Sequence, residues 1–272
     1  MRPKVLSLIG IFLATSASHA PDGPPVHLYA AGSLRAPMTE IASAYATAYG
    51  TRVEPTYGAS GALGERLSKG EPGDILASAD VGYPEALSRS GKSGPVVVFA
   101  RNHLCAILRP GLSATASTVL DTMLNSSIKV GTSSPNNDPG GAYAWAMFQK
   151  ADVRHPGARA TLESKALKIG SGPGSLAAPA GTKNAVAWLL QERRVDVFLS
   201  YCTNGQIAAQ DAPGVTSVNL PPDLAVVADY GLTVLEGANK VDASRFALFI
   251  LSPTAQKILA DHGFEAPLLP KS

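Results

Sequence analysis

The chain has 272 residues, of which 45% are hydrophobic and 16% charged. Two of its 23 Lys and Arg, Arg2 and Lys4, fall in a first twenty residues that hold none of the 21 Asp and Glu, so the remainder is formally neutral at 21 against 21. A neutral chain with few aromatic residues and no Lys/Arg run gives nucleic acid or an anionic membrane no electrostatic foothold, which excludes both as expected partners.

The opening segment places Arg2 and Lys4 before the apolar run Val5 to Leu13 and the small-residue stretch Ala14 to Ala20. This predicts a signal peptide over residues 1–20, cut after Ala20. The alternative, a membrane anchor, needs about 20 apolar residues, roughly twice what this core holds. Export to the periplasm is the expectation. An oxidising compartment leaves two readings for Cys105 and Cys202: a disulfide, or two separate buried thiols. His27, His103, His155 and His262 are scattered and match no metal-ligand spacing, so no metal centre or cofactor is expected.

In chain order, Val26 to Tyr29 predicts a short strand ending in Ala30-Ala31-Gly32-Ser33, followed by an amphipathic helix from Leu34 to Tyr49. Arg52 to Thr56 reads as a second strand, then the turn Tyr57-Gly58-Ala59-Ser60-Gly61 and a helix from about Ala62 to Lys69. Asp74 to Ala77 is a third strand and Tyr83 to Ser90 a third helix. The pattern repeats with strands at Val96 to Phe99 and Leu104 to Leu108, a helix near Ser117 to Leu124 and a strand at Lys129 to Gly131. The loop Thr132 to Gly140 opens a helix from Gly141 to Lys150. After a stretch without clear periodicity, Thr182-Lys183 opens a helix from Asn184 to Arg193, and Val195 to Tyr201 is a strand. Ser171 to Gly181, rich in Gly, Pro, Ala and Ser, is a loop that lacks the ending of a nucleotide-binding P-loop. Ser252 to Phe264 predicts a closing amphipathic helix.

Strands alternating with helices predict an α/β fold of mostly parallel sheets covered on both faces, with the ligand crevice at the strands' carboxyl ends. About 250 residues after the leader suit two lobes better than one core. Ser33, Ser60, Gly140-Gly141 and Thr182-Lys183 each stand where a strand or loop turns into a helix. Any one of them reads as an ordinary helix cap. Four in corresponding places put free N–H groups and partial positive charge toward a common point, an arrangement suited to an anion.

The same segments resemble the periplasmic molybdate-binding proteins of bacterial ABC importers. The resemblance runs from about His27 to Phe264 and rests on Ala30-Ala31-Gly32-Ser33-Leu34, Gly58-Ala59-Ser60-Gly61-Ala62-Leu63, the segment Gly70-Glu71-Pro72-Gly73-Asp74-Ile75-Leu76-Ala77-Ser78-Ala79-Asp80, Asp138-Pro139-Gly140-Gly141-Ala142-Tyr143-Ala144, and the strand ending in Tyr201. It implies the two-lobed type II periplasmic binding protein fold with two hinge crossings: residues 27–100 and 230–272 as one lobe, 101–229 as the other. It further implies a tetrahedral oxyanion, molybdate or tungstate, as the ligand. Ser33, Ser60, Gly140, Lys183 and Tyr201 would hold it by hydroxyl and backbone N–H groups. An ABC permease would receive the anion from a monomer. The family fold would also bring Cys105 and Cys202 together behind the cleft.

Two features depart from the family pattern. Lys183 stands where an apolar residue is usual, and its ammonium either adds charge to the site or points into solvent. Tyr201-Cys202-Thr203-Asn204 replaces a tyrosine followed by small polar residues. A hydrolase is the rival class, but Ser60 does not fit a Gly-x-Ser-x-Gly elbow and no His lies in a segment that would place it nearby. Phosphate, which carries a proton at neutral pH, favours a carboxylate acceptor. Asp74, Asp80 and Asp138 are the nearby candidates for such an acceptor; Asp74 and Asp80 are expected to fix loops, while Asp138 reads either as an acceptor or, with Asn136 and Asn137, as a turn former.

Overall fold

The computed structural model describes residues 23–136, 138–169 and 176–267. The leader read over residues 1–20 lies outside them, as do Asn137 and Ser171 to Ser175 of the Gly/Pro loop.

The first half builds β1 (Val26–Ala31), α1 (Arg35–Tyr49), β2 (Val53–Gly58), α2 (Ser60–Ser68), β3 (Ile75–Ser78) and α3 (Gly82–Arg89). Strand β1 pairs in parallel with both β2 and β3. Its side chains alternate between two covered faces: Leu28 and Ala30 pack with Met38, Ile41 and Tyr45 of α1, while Tyr29 packs with Leu63 and Leu67 of α2 and Leu87 of α3. The spacing of Met38, Ile41 and Tyr45 is that of one helix face, and all three are fully buried. Each such burial contributes about 1.5–3 kcal/mol.

The second half builds β4 (Val97–Leu108), α4 (Val119–Leu124), β5 (Val130–Ser133), α5 (Pro139–Arg154), α6 (Ala158–Lys165), β6 (Leu167–Ile169), α7 (Ala185–Gln191), β7 (Val197–Tyr201), α8 (Cys202–Asp211) and β8 (Thr216–Asn219). Here β5 pairs in parallel with β6 and β7. The same alternation recurs: Val197 and Leu199 face the cluster of Met147 and Phe148 from α5, while Phe198 faces that of Leu190 from α7 and Ala208 from α8. The chain then returns through β9 (Val227–Val234) and ends on α9 (Lys240–Ile250) and α10 (Pro253–Asp261), which pack beside α1 against the first sheet.

Two long strands join the halves. Where the sequence suggested two strands separated by Ala100 to His103, β4 is continuous over twelve residues. Its outer part pairs antiparallel with β9, with an irregularity between Val98 and Ala100, and its inner part pairs antiparallel with β7 and β8. The polar residues that interrupt the hydrophobic pattern are satisfied by partners distant in sequence. Arg101 pairs with Asp229, and the amide of Asn102, 1% exposed, donates to Thr203 Oγ1 at 2.9 Å. Strand β9 also pairs antiparallel with β3. The parallel pairs are therefore those the alternation predicts, and the antiparallel pairs come from the two crossing strands and β8. The result is a two-lobed α/β fold with two strand crossings, as expected.

Cys105 on β4 and Cys202 at the start of α8 are joined by a disulfide, with Cα atoms 4.9 Å apart. The neighbouring register pair is Leu104 with Tyr201, so the bridge fastens the first turn of α8 to the crossing strand.

Candidate functional site

A cleft of about 670 Å³ lies between the halves, lined by residues of both, among them Ser33, Ser60, Asp138, Lys183, Asn184 and Tyr201. Its first wall is the carboxyl end of β1 and the start of α2. Ser33 lies in a short 3-10 turn, Gly32–Leu34, and its Oγ stands 3.0 Å from Tyr230 Oη on β9. Ser60 is the first residue of α2 and is 1% exposed. Its Oγ accepts the Ala79 N–H at 3.0 Å, which leaves its own hydroxyl proton to donate.

The opposite wall is the start of α5 and the end of β7. Asp138 caps α5: its Oδ1 accepts the Gly140 N–H at 2.9 Å, with Pro139 in the first turn behind it. That backbone donor, expected to face an anion, is thus engaged by a carboxylate. Gly141 is needed for another reason, since a Cβ there would stand 2.6 Å from the Ser134 carbonyl carbon. The close approach of loop and helix is what seats Asp138 in the cleft. Burial pushes the Asp138 carboxyl above its ordinary range against the lowering effect of the Gly140 N–H, and the nearby Asp80 pushes the same way. Burial likewise raises Asp80, whose carboxylate receives the Tyr83 N–H and the Ser78 hydroxyl and fixes the β3–α3 loop. Asp74 takes the backbone N–H groups of His27 and Asn239 and serves structure in the same way.

Tyr201 ends β7 at 4% exposure, and its Oη is buried without a hydrogen-bond partner. Burial holds the phenol well above its ordinary pKa, helped by Tyr230, Asp138 and Tyr143, so it is a neutral donor throughout the physiological range. A buried hydroxyl left unpaired costs about 1–3 kcal/mol. Its ring packs edge-on against Tyr143 and Tyr230, centroids 6.2 and 5.6 Å away. The hydroxyl is aimed by that packing.

Lys183 lies two residues before α7, which starts at Ala185 behind the cap Asn184. The Asn184 side chain accepts the Ala187 N–H at 3.1 Å. The Lys183 ammonium, 86% exposed, meets Asp211 Oδ1 at 2.6 Å on the cleft rim. Of the two orientations open to this side chain, the structure has the one in solvent. Ser33, Ser60, Gly140, Lys183 and Tyr201 therefore all lie at or beside the cleft wall, but the Gly140 N–H is taken by Asp138, and Asp211 holds the Lys183 ammonium rather than its backbone N–H.

The sequence left Asp138 open between acceptor and turn former, and gave no sign of Tyr230 as the partner of Ser33. An Asp directly before Pro and two glycines is a helix-cap signal that would have placed Asp138 at the α5 terminus. Nothing local marks Tyr230, which meets Ser33 across 197 positions. Among the described residues no group of His, Cys, Asp and Glu could hold a metal ion, and no helix is long and apolar enough to cross a membrane.

Residues 26–265 match the family model described as bacterial extracellular solute-binding protein. An uncharacterized protein of Pasteurella multocida is 32% identical over 241 residues, covering 88% of this chain and 98% of that one. Among solved structures, the periplasmic molybdate-binding protein of Azotobacter vinelandii superposes with a TM-score of 0.72 at 18% identity, over 89% of this chain and all of the other. The sulfate-binding protein SubI of Mycobacterium tuberculosis gives 0.73 at 20% identity, over 90% of this chain and 87% of its own. These two show the shared fold, and the family match shows membership: the chain belongs to the bacterial extracellular solute-binding protein family.

Proposed function

We propose that this protein captures a small tetrahedral oxyanion, molybdate or tungstate first, in the periplasm after removal of residues 1–20, and delivers it as a monomer to an ABC permease. The observation that carries the reading is the Tyr201 hydroxyl, a buried neutral donor without a partner at a cleft that also holds the Ser33 and Ser60 hydroxyls. A dehydrated divalent anion requires a donor for nearly every lone pair, and neutral donors supply them without the desolvation cost of a buried ammonium. In this reading a solute is bound rather than transformed: among the described residues no imidazole or carboxylate is paired with the Ser60 hydroxyl to act as its base.

Residues 27–100 with 230–272 form one lobe of this proposal and 101–229 the other, with β4 and β9 as the hinge. Closure would bring Ser33 and Ser60 toward Tyr201 and shrink a cleft that is large for one oxyanion. A second reading, a small organic anion, is favoured by that same volume, which falls within the range of ordinary small-molecule pockets. Titration calorimetry of the mature protein with molybdate, tungstate, sulfate and phosphate tests both. Submicromolar binding of at least one is expected; heat from none of the four at millimolar concentration would sink the oxyanion reading and leave the organic one.

A further inference from the structure

We propose that Asp138 makes capture proton-linked: the complex holds one proton between its carboxyl and an oxygen of the bound anion. This rests on the oxyanion reading and adds to it which protonation state the site selects.

Asp138 sits at the N-terminus of the sixteen-residue α5 and lines the cleft. Among the described residues its carboxylate accepts the Gly140 N–H at Oδ1 and lies within reach of the Ser133 hydroxyl, both of which favour its ionised form, and no Lys or Arg pairs with it. An ideal Cβ on Gly140 would lie 3.3 Å from Asp138 Oδ1 and 3.6 Å from Tyr201 Cε2. The carboxyl and the Tyr201 ring edge next to the unpartnered Oη therefore face each other across one glycine. An anion that accepts from Tyr201 Oη lies beside a carboxylate, and two like charges there cannot both persist in a buried site.

The groups that face the Asp138 carboxyl itself include no cation. Asp80 approaches from the β3–α3 loop, Tyr83 from α3, Tyr201 from β7 and Ser133 from β5, all acidic or neutral. The cleft's Lys183 is held by Asp211, and Arg35 lies over the Tyr57 ring at 4.6 Å. A proton is what remains. An anion that arrives protonated, as hydrogen phosphate does, donates its own O–H to the carboxylate. A fully deprotonated one binds as the carboxylate takes a proton from solvent and then donates from its O–H. Burial and Asp80, which already favour the neutral carboxyl, support this. The proton belongs to the pair rather than to either partner.

Calorimetry of the mature protein in two buffers of different ionisation enthalpy counts the protons. With sulfate or molybdate at pH 8, uptake of close to one proton per anion is expected, and Kd should rise about tenfold per pH unit between pH 7 and 8.5. Phosphate should show little uptake. In Asp138→Asn, whose side chain keeps an oxygen for the Gly140 N–H, the Kd for sulfate and molybdate should become independent of pH and that for phosphate should rise at least tenfold. Zero proton uptake by the parent protein with a flat pH profile would overturn the proposal while leaving oxyanion capture intact, and needs no variant. If none of these anions bound the parent at pH 6, both readings would fall together.

Discussion

The hydroxyls of Ser33 and Tyr230 lie 3.0 Å apart and tie a residue of the cleft wall to the buried centre of a crossing strand. Tyr230 is fully buried and packs against Tyr201, Phe99 and Phe264. It fixes the Ser33 rotamer without reaching the cleft itself. Tyr230→Phe should keep the fold, cost about 1 kcal/mol of stability, and weaken anion binding by about threefold to tenfold. Calorimetry and thermal unfolding measure the two effects; unchanged affinity would show that Ser33 needs no such support.

Tyr201→Phe should separate binding from stability. Removing an unpartnered buried hydroxyl relieves an unfavourable group, so the anion-free variant should unfold at the same temperature as the parent or higher. Affinity should fall by roughly tenfold to a hundredfold, the effect of one hydrogen bond to a charged group. A variant that lost stability and kept its affinity would mean that the hydroxyl serves the fold.

Ser60→Ala should damage both. The Ala79 N–H loses its acceptor in a site that is 2% exposed, at a cost of about 1–3 kcal/mol. The anion also loses a donor, so the stabilisation it confers should shrink together with the starting melting temperature. Scanning calorimetry with and without molybdate distinguishes the two losses.

Lys183→Ala should do little. The ammonium is almost fully exposed, and exposed ion pairs contribute about 0–1 kcal/mol. Near-normal affinity is expected, with the same dependence on salt as the parent. A loss of tenfold or more would show that the side chain leaves Asp211 for the cleft when the anion is present.

Thiol titration of the denatured, unreduced protein should find no free thiols. The bridge spans 97 positions, for which the chain-entropy model assigns about 4 to 5 kcal/mol. Replacing both Cys105 and Cys202 by Ser should lower stability by up to that amount. Because the bridge fastens the turn after Tyr201, the replacement should also weaken binding; measured affinity at a temperature where the variant is folded checks this.

The elements legible in the sequence are those whose pattern is local. The helix carrying Met38, Ile41 and Tyr45 and the strand through Val197 and Leu199 announce themselves by period. Helix α8 begins Cys202-Thr203-Asn204-Gly205, a run of weak helix formers, and is held by Asn102, the disulfide and its packing on β4 and β8. Strand β8 offers Val218 as its one apolar residue, and β9 is broken by Asp229 and Gly231. They exist because β4 supplies hydrogen bonds to β8, and β3 and β4 together supply them to β9. In the site, a hydroxyl or glycine residue at each strand- or loop-to-helix junction was legible as a position. Which donors were already engaged was less so: the Asp138 cap is written locally in Asp-Pro-Gly-Gly, whereas Tyr230 takes its role from packing across 197 positions.

Arg101 and Asp229 are register partners on β4 and β9. Everything between them leaves the first sheet and returns to it through one pair of adjacent backbone positions. In topological terms the second half is an insertion whose two chain ends stand a strand pair apart, and among the described residues it touches the first again where Tyr201 packs on Tyr230 and the Tyr143 hydroxyl meets the Ala79 carbonyl. The pairing of β2, β1, β3 and β9 uses no strand that lies wholly within the excursion, so the register of one cleft wall is set apart from the sequence, length and donor chemistry of the other.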